Sequence, residues 1–395
     1  MPDRKDLRSG FTTGTAAAAS AKLAALALLG HLPAAPPYDV DIPLPDGTPW
    51  SVVVPLPDGP PWSVVVPLPD GGRLTVAVAE AAMLPGGRVR AVTIKDGGDD
   101  PDVTHGARIG CTVALDPALA PGETRIEGGP GVGLATLPGL PIPVGAPAIN
   151  PGPLAQIRAA LAEAAAATGP CAAFGLVAII DVEDGQALAA RTMNPRLGIT
   201  GGISILGTSG IVRPFSHEAW QGAVAEALDV ARALGVGHAG LSTGRRSEKA
   251  LRRVLPHLPE QAFVQIADFF AFSLAAAASR GFPAVTLCAY PGKLVKMAMG
   301  LPNTHAHLTD TDFSALAGWC AEAGIADAAC AKVATANTVR HAFELTRDDP
   351  AFAALPGLLA VKALAHARSF AGPGPALSLL ALDVDDRPLH RSGLP

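Results

Sequence analysis

The densest chemistry in the chain lies at residues 95–106, KDGGDDPDVTHG, where Asp99, Asp100 and Asp102 stand beside Thr104 and His105 on a glycine-loosened turn. Carboxylates crowded in this way raise one another's pKa. That makes the segment a candidate general base, or a clamp for ring N–H groups. The plainer alternative is a turn in which Asp side chains cap backbone N–H groups. The alternating ligands and distal Glu of a calcium loop are missing.

A second segment, 198–210 (GITGGISILGTSG), places a glycine turn, a short apolar strand and a Gly/Thr/Ser turn in sequence. The backbone amides of Gly201, Gly202, Ser204, Gly207, Thr208, Ser209 and Gly210, with the Thr and Ser hydroxyls, are a candidate cradle for a carboxylate or phosphate. No Gly-Lys-Ser/Thr follows, and there is no G-x-G-x-x-G fingerprint, so neither nucleotide loop is present. Arg245 and Arg246 follow Ser242-Thr243-Gly244, and Lys293 and Lys296 follow Pro291-Gly292, each pair behind an expected strand. Cations at the start of a helix oppose its macrodipole and call for a compensating partner. His305 and His307 are spaced as metal ligands at i and i+2, or as capped loop residues; no third ligand accompanies them.

The elements that must position these groups change character along the chain. Residues 15–30 read as a buried Ala/Leu helix opened by Thr12 and Thr13 and closed by Gly30; Lys22 interrupts the run, which suits neither a signal peptide nor a membrane span. Residues 43–78 hold three copies of a twelve-residue Pro-Leu-Pro-Asp-Gly unit, read as turns and Val-rich strands of an edge hairpin without a catalytic role. Strands are expected at 87–95, 124–127, 173–182 and 187–193, and a helix at 156–168. From 203 onward strand and helix alternate, with strands at 203–206, 238–242, 262–266, 284–289 and 377–384. The fold class is therefore α/β with α+β: an N-terminal α+β domain over 1–195, then a doubly wound, mostly parallel α/β domain over 196–395 with ligands outside its strands' carboxyl ends.

Composition limits the partners. Lys and Arg number 30 against 35 Asp and Glu, a net charge of −5, so no global field draws the chain to nucleic acid or an anionic membrane. The five cysteines are odd in number and contain no C-x-x-C pair, which suits small core residues in a reducing cytoplasm rather than disulfides or zinc.

In order along the chain, LRSGFTTGTAAAASAK (7–22), GGDDPDVTHG (97–106), GVGLATLPGLPIPVGAPAINPGP (131–153), NPRLGITGGISILGTSGIVRPFS (194–216), STGRRSE (242–248) and PGKLVKMAMGLPNTHAHLTD (291–310) resemble the hallmarks of the CbiD family, the cobalt-precorrin-5B C(1)-methyltransferases. Two positions depart from the pattern: Ala16 stands where the family usually has Cys, and Gly-Pro-Leu follows Asn150-Pro151 where Pro-Arg is usual.

The resemblance implies transfer of a methyl group from S-adenosylmethionine to C1 of a cobalt tetrapyrrole, giving cobalt-precorrin-6A, with no resident metal and a homo-oligomer left open. It assigns Arg245, Arg246, Lys293, Lys296 and His305 to the substrate's carboxylate arms. The 198–210 cradle goes to the donor's methionine carboxylate, with the substrate's arms as the competing occupant; Asp99, Asp100, Asp102, Thr104 and His105 go to catalysis, on a loop that faces the sulfonium, the sugar hydroxyls or the ring nitrogens and takes any proton lost after alkylation. Two rivals remain. A non-catalytic corrinoid carrier needs the cations alone, and a phosphoryl-transfer enzyme needs a lysine that the Gly/Thr/Ser loop lacks.

Overall fold

The computed structural model describes residues 7–30, 50–51, 62–69, 72–167, 175–306 and 310–394. The chain forms two compact units, Met1–Ser216 and His217–Pro395. The division falls later than the expected 195/196. Residues 196–216 pair within the N-terminal unit: Ile199–Thr200 joins Leu134–Ala135, Gly202–Ile203 joins Gly131–Val132, and Ile211–Val212 joins Gly10–Phe11. The strand expected at 203–206 therefore does not open the doubly wound sheet.

In the N-terminal unit the helix Thr13–Leu28 starts where expected, with Thr12 as N-cap accepting from the Thr15 N–H at 3.2 Å, and every residue from Thr13 to Ala25 is buried. Its alanines permit close approach of neighbouring elements. Its polar residues are each satisfied: Ser20 bonds Thr93 Oγ1 at 2.8 Å and the Ile109 carbonyl at 2.9 Å, and Lys22 pairs with Glu163. A buried donor left alone would cost about 1–3 kcal/mol.

A five-stranded sheet runs Glu80–Leu84, Arg88–Ile94, Arg108–Asp116, Gly175–Val182, Thr124–Gly128, antiparallel except for the last pair. The hairpin return expected at 187–193 is instead a short helix, Gly185–Ala189, entered through Asp184 in the left-handed region at φ 53°. Of the repeat, Trp62–Pro67 pairs antiparallel with Arg73–Val78; Val64, Val65 and Val66 are all buried, so this edge strand is core on both faces. Most of the first copy lies outside the described residues.

The C-terminal unit has the expected alternation. Its sheet order is Phe263–Gln265, His238–Ser242, Ala284–Ala289, Ala376–Leu382, Pro388–Ser392, with the first four parallel and the last antiparallel. In chain order this is 2-1-3-4-5, so the winding reverses between His238–Ser242 and Ala284–Ala289. Ala284–Ala289 is buried at five successive positions, as a strand covered on both faces must be. Pro388–Ser392, an edge strand with a polar sequence, escapes the apolar-run criterion. Cys111, Cys288, Cys320 and Cys330 are buried free thiols; Cys171 lies outside the described residues.

Candidate functional site

The acidic loop joins Arg88–Ile94 to Arg108–Asp116; Asp96 pairs with the Arg8 guanidinium, and Asp99, Asp100 and Asp102 are each engaged by a different residue. Lys95, 2% exposed, donates to Asp102 Oδ2, while Asp102 Oδ1 accepts from the Thr104 amide at 2.7 Å and hydroxyl at 2.6 Å. Burial acts to raise the Asp102 pKa, but the Lys95 charge and the hydrogen bonds from Lys95 and Thr104 outweigh it and hold the carboxyl below the ordinary aspartate value. The expected mutual upward push is thus reversed at Asp102, which cannot store a proton near neutrality, and the Thr104 hydroxyl is occupied in fixing it.

Asp99 Oδ2 accepts the Arg8 N–H at 2.6 Å, and Asp100 Oδ1 accepts the Phe215 N–H at 2.8 Å. Each keeps its second oxygen without a partner among the described residues. His105 is exposed and accepts the Gly97 N–H on Nδ1 at 3.0 Å, so its neutral form carries the proton on Nε2. Gly98 has φ 63°, and a Cβ there would fall 2.2 Å from the Arg8 carbonyl oxygen; only glycine lets the N-terminal segment lie against this loop.

The 201–210 segment presents mostly carbonyls, not amides, to its neighbours. Thr13 Oγ1 donates to the Ser204 and Leu206 carbonyls, Thr15 Oγ1 donates to Gly210 at 2.8 Å, and the Gly14 amide donates to Leu206 at 3.2 Å. The turn therefore closes the N-terminus of the first helix. Gly202 packs against Gly131, the Ser204 hydroxyl bonds Asn194, and the Ser209 hydroxyl bonds Ile211. Gly207, at φ 139°, lies on Thr12, and Gly201 and Gly210 are also left-handed. Among the described residues the Thr208 hydroxyl and the amides of 207–210 keep no partner, so any cradle is narrower than expected.

The cations converge. A cavity of about 1430 Å³ opens at the carboxyl ends of the parallel strands, and Arg245, Arg246, Lys293 and Lys296 all line it. Its walls include the first residues of the helices Arg245–Val254 and Pro291–Ala298, which follow the two strands between which the winding reverses. This is the switch-point crevice where open α/β sheets bind ligands. All of the lining comes from the C-terminal unit.

These cations differ in what they already hold. Arg246 donates to Asp386 Oδ1 and the Val384 carbonyl, both at 2.8 Å, and lies over the Tyr290 ring at 5.3 Å; the Tyr290 hydroxyl donates to the same Asp386. Those two donors hold Asp386 below the usual carboxylate range. Lys293 donates to Asp268 and to the Thr304 carbonyl at 3.1 Å, and buried Lys296 donates to the His305 carbonyl at 3.2 Å, so both anchor residues 304–305. Burial, with Lys296 beside it, pushes the Lys293 ammonium down to about 8. Arg245 has no partner among the described residues. His305 is not among the lining residues, and His307 lies outside the described ones.

Several lining residues were not anticipated. Arg340 lies in the helix Val339–Thr346 and Arg347 caps its end seven residues, or about two turns, later, and Asp383 and Asp385 follow the strand Ala376–Leu382. The rule that singled out Arg245 and Lys293, charge behind a parallel strand, also applies to the aspartates. Among the described residues no group of three His, Cys, Asp or Glu is arranged to hold a metal ion.

The CbiD family model matches residues 52–214, and the model of the CbiD C-terminal domain matches 303–393. A cobalt-precorrin-5B C(1)-methyltransferase from Nitratidesulfovibrio vulgaris is 50% identical over 377 residues, covering 95% of this chain and 90% of that one. Its counterpart from Salinispora arenicola is 41% identical, with 95% and 90% covered. The 1.9 Å crystal structure of the cobalamin biosynthesis protein CbiD from Archaeoglobus fulgidus aligns over 74% of this chain and 79% of that one, at 24% identity and a TM-score of 0.36.

Proposed function

This chain belongs to the CbiD family, and we propose that it methylates C1 of cobalt-precorrin-5B with S-adenosylmethionine as donor, in the cytoplasm, giving cobalt-precorrin-6A. The observation that carries the site assignment is Arg245: of the four cations named from the sequence, it is the one with a guanidinium in the switch-point cavity and no protein partner among the described residues.

The acceptor is a macrocycle bearing many carboxylate arms. An acidic chain must meet those arms with local positive charge, and a guanidinium at a helix N-terminus pairs its fork with a carboxylate while the helix amides add to the attraction. Arg245 supplies that contact. Lys293, Lys296 and Arg246 set the field and hold the walls, because their donors already engage Thr304, His305 and Asp386. Phe313, Phe343 and Phe352 give the cavity the apolar surface that a flat ring system covers.

The donor supplies a methyl group already activated on a sulfonium. The protein's task is then alignment and exclusion of water, and orientation of this kind is worth about 7–11 kcal/mol of barrier. No protein nucleophile is called for, consistent with Ala16 at the position where relatives usually carry Cys and with the buried, unreactive thiols.

The experiment is a turnover assay with methyl-labelled donor and cobalt-precorrin-5B. Label in the macrocycle with one S-adenosylhomocysteine released per product supports the reading. Tight tetrapyrrole binding with no label transfer contradicts it and leaves a carrier, a role that the enzyme names of the curated relatives do not favour.

A further inference from the structure

The carboxylate arms of the acceptor account for the cations of the C-terminal cavity but not for the acids that stand among them, Asp310, Glu344, Asp383 and Asp385. After the strand Ala376–Leu382 the chain turns through Asp383, Asp385 and Asp386, and two of these build the turn. Asp383 Oδ1 accepts the amides of Asp385 and Arg387, both at 2.8 Å. Asp386, left-handed at φ 65°, receives the Tyr290 hydroxyl and the Arg246 guanidinium. Asp385 does neither. It is exposed, it lines the cavity, and its carboxylate accepts no hydrogen bond among the described residues, meeting the Arg246 charge only through space. The turn is fixed by its neighbours and displays this one group.

An unpaired carboxylate repels a polyacid in the same cavity. The cost is tolerable where the acid faces a different ligand, one that carries hydroxyl donors and no negative charge at that end. Resting on the methyl-transfer reading, we propose that Asp385 accepts hydrogen bonds from the ribose hydroxyls of the methyl donor, which places the donor's adenosyl end in the cavity that holds the acceptor.

Three further observations agree. Asp385 lies behind the carboxyl end of a parallel strand, where an acid is well placed to receive a ribose in doubly wound folds. Val384 and Leu389 line the same cavity beside Asp385, an apolar surface suited to a flat heteroaromatic base and separate from the rings given to the macrocycle. At about 1430 Å³ the cavity is larger than the roughly 300–1,000 Å³ of a pocket for one drug-sized ligand.

The test is calorimetry on the full chain with S-adenosylhomocysteine and with its 2′,3′-dideoxy analogue. Loss of a hydrogen bond to a charged group predicts that Asp385→Ala weakens the parent ligand by about ten- to a hundredfold. The same substitution is expected to leave the dideoxy analogue and the unfolding temperature unchanged. Equal affinity of wild type and variant for the parent ligand overturns the proposal. So does a variant that weakens both ligands alike, since the ribose is then not what Asp385 reads. If the wild-type chain binds neither ligand, with or without tetrapyrrole, the methyl-transfer reading falls and this proposal with it.

Discussion

The Lys95 ammonium, 2% exposed, rests on the Asp102 carboxylate and ties the start of the acidic loop to its middle. Breaking a buried pair by removing one partner typically costs about 3–5 kcal/mol, because the other charge is left unpaired. Asp102→Ala is expected to lose about that much in urea denaturation at pH 7. The double variant with Lys95→Met recovers most of it. The pKa of Asp102 is lower in the folded chain than in the unfolded one. Its stabilisation is therefore complete above the ordinary aspartate range and fades as pH falls through the lower, folded value. Wild type and Asp102→Ala should converge in stability on acidification, and a gap that persists at pH 2 contradicts this assignment.

Gly98 separates steric from conformational effects of glycine. Both Gly98 and Gly106 have positive φ, but a Cβ at 98 meets the Arg8 carbonyl oxygen at 2.2 Å, whereas one at 106 meets nothing within 4 Å. Gly106→Ala should cost about 1–2 kcal/mol, the left-handed penalty alone. Gly98→Ala should cost more and expose residues 8–10 to limited proteolysis. Equal losses would mean that the N-terminal segment does not depend on this contact.

Lys293 links charge to loop geometry. A cycle of Lys293→Met and Asp268→Asn, read by thermal unfolding, should show a coupling of about 1–3 kcal/mol, since each single change strands the other partner. Additive losses would show that the two do not interact.

The same lysine gives a pH signature. A pKa pushed down to about 8 means that the ammonium loses its charge as pH rises through that value, so the acceptor KM should climb above it. Lys293→Arg, which stays protonated, should flatten the profile between pH 7 and about 9. A profile that climbs equally in both proteins places the titration elsewhere.

What the sequence made legible follows from how local each signal is. Strands 238–242 and 284–289 were legible from the alternation of strand and helix around them and appear as His238–Ser242 and Ala284–Ala289; the helix behind Thr12 needed only its cap and its alanines. The cations were found because strand ends in a doubly wound sheet point charge at ligands, and four of those named share one cavity. The acidic loop was misjudged at Asp102, because crowding in sequence said nothing of Lys95 beneath it. Residues 203–206 looked like the first strand of the second half because an apolar tetrad does not reveal its partner, and Gly202–Ile203 pairs with Gly131–Val132 instead. Arg347 went unremarked because only helix packing brings it to the cavity, whereas Asp385 stands behind a parallel strand and was missed because the strand-end rule was applied to cations alone.

The measurement that bears most directly on the account is steady-state kinetics of Arg245→Glu with cobalt-precorrin-5B as the varied substrate. Arg245 is exposed and holds no other residue among those described, so the unfolding temperature should not move. Replacing a guanidinium that grips a carboxylate with a repelling acid should raise the acceptor KM by at least about tenfold, with S-adenosylhomocysteine affinity unchanged. A wild-type KM in that variant would show that the acceptor does not bind at the switch-point cavity.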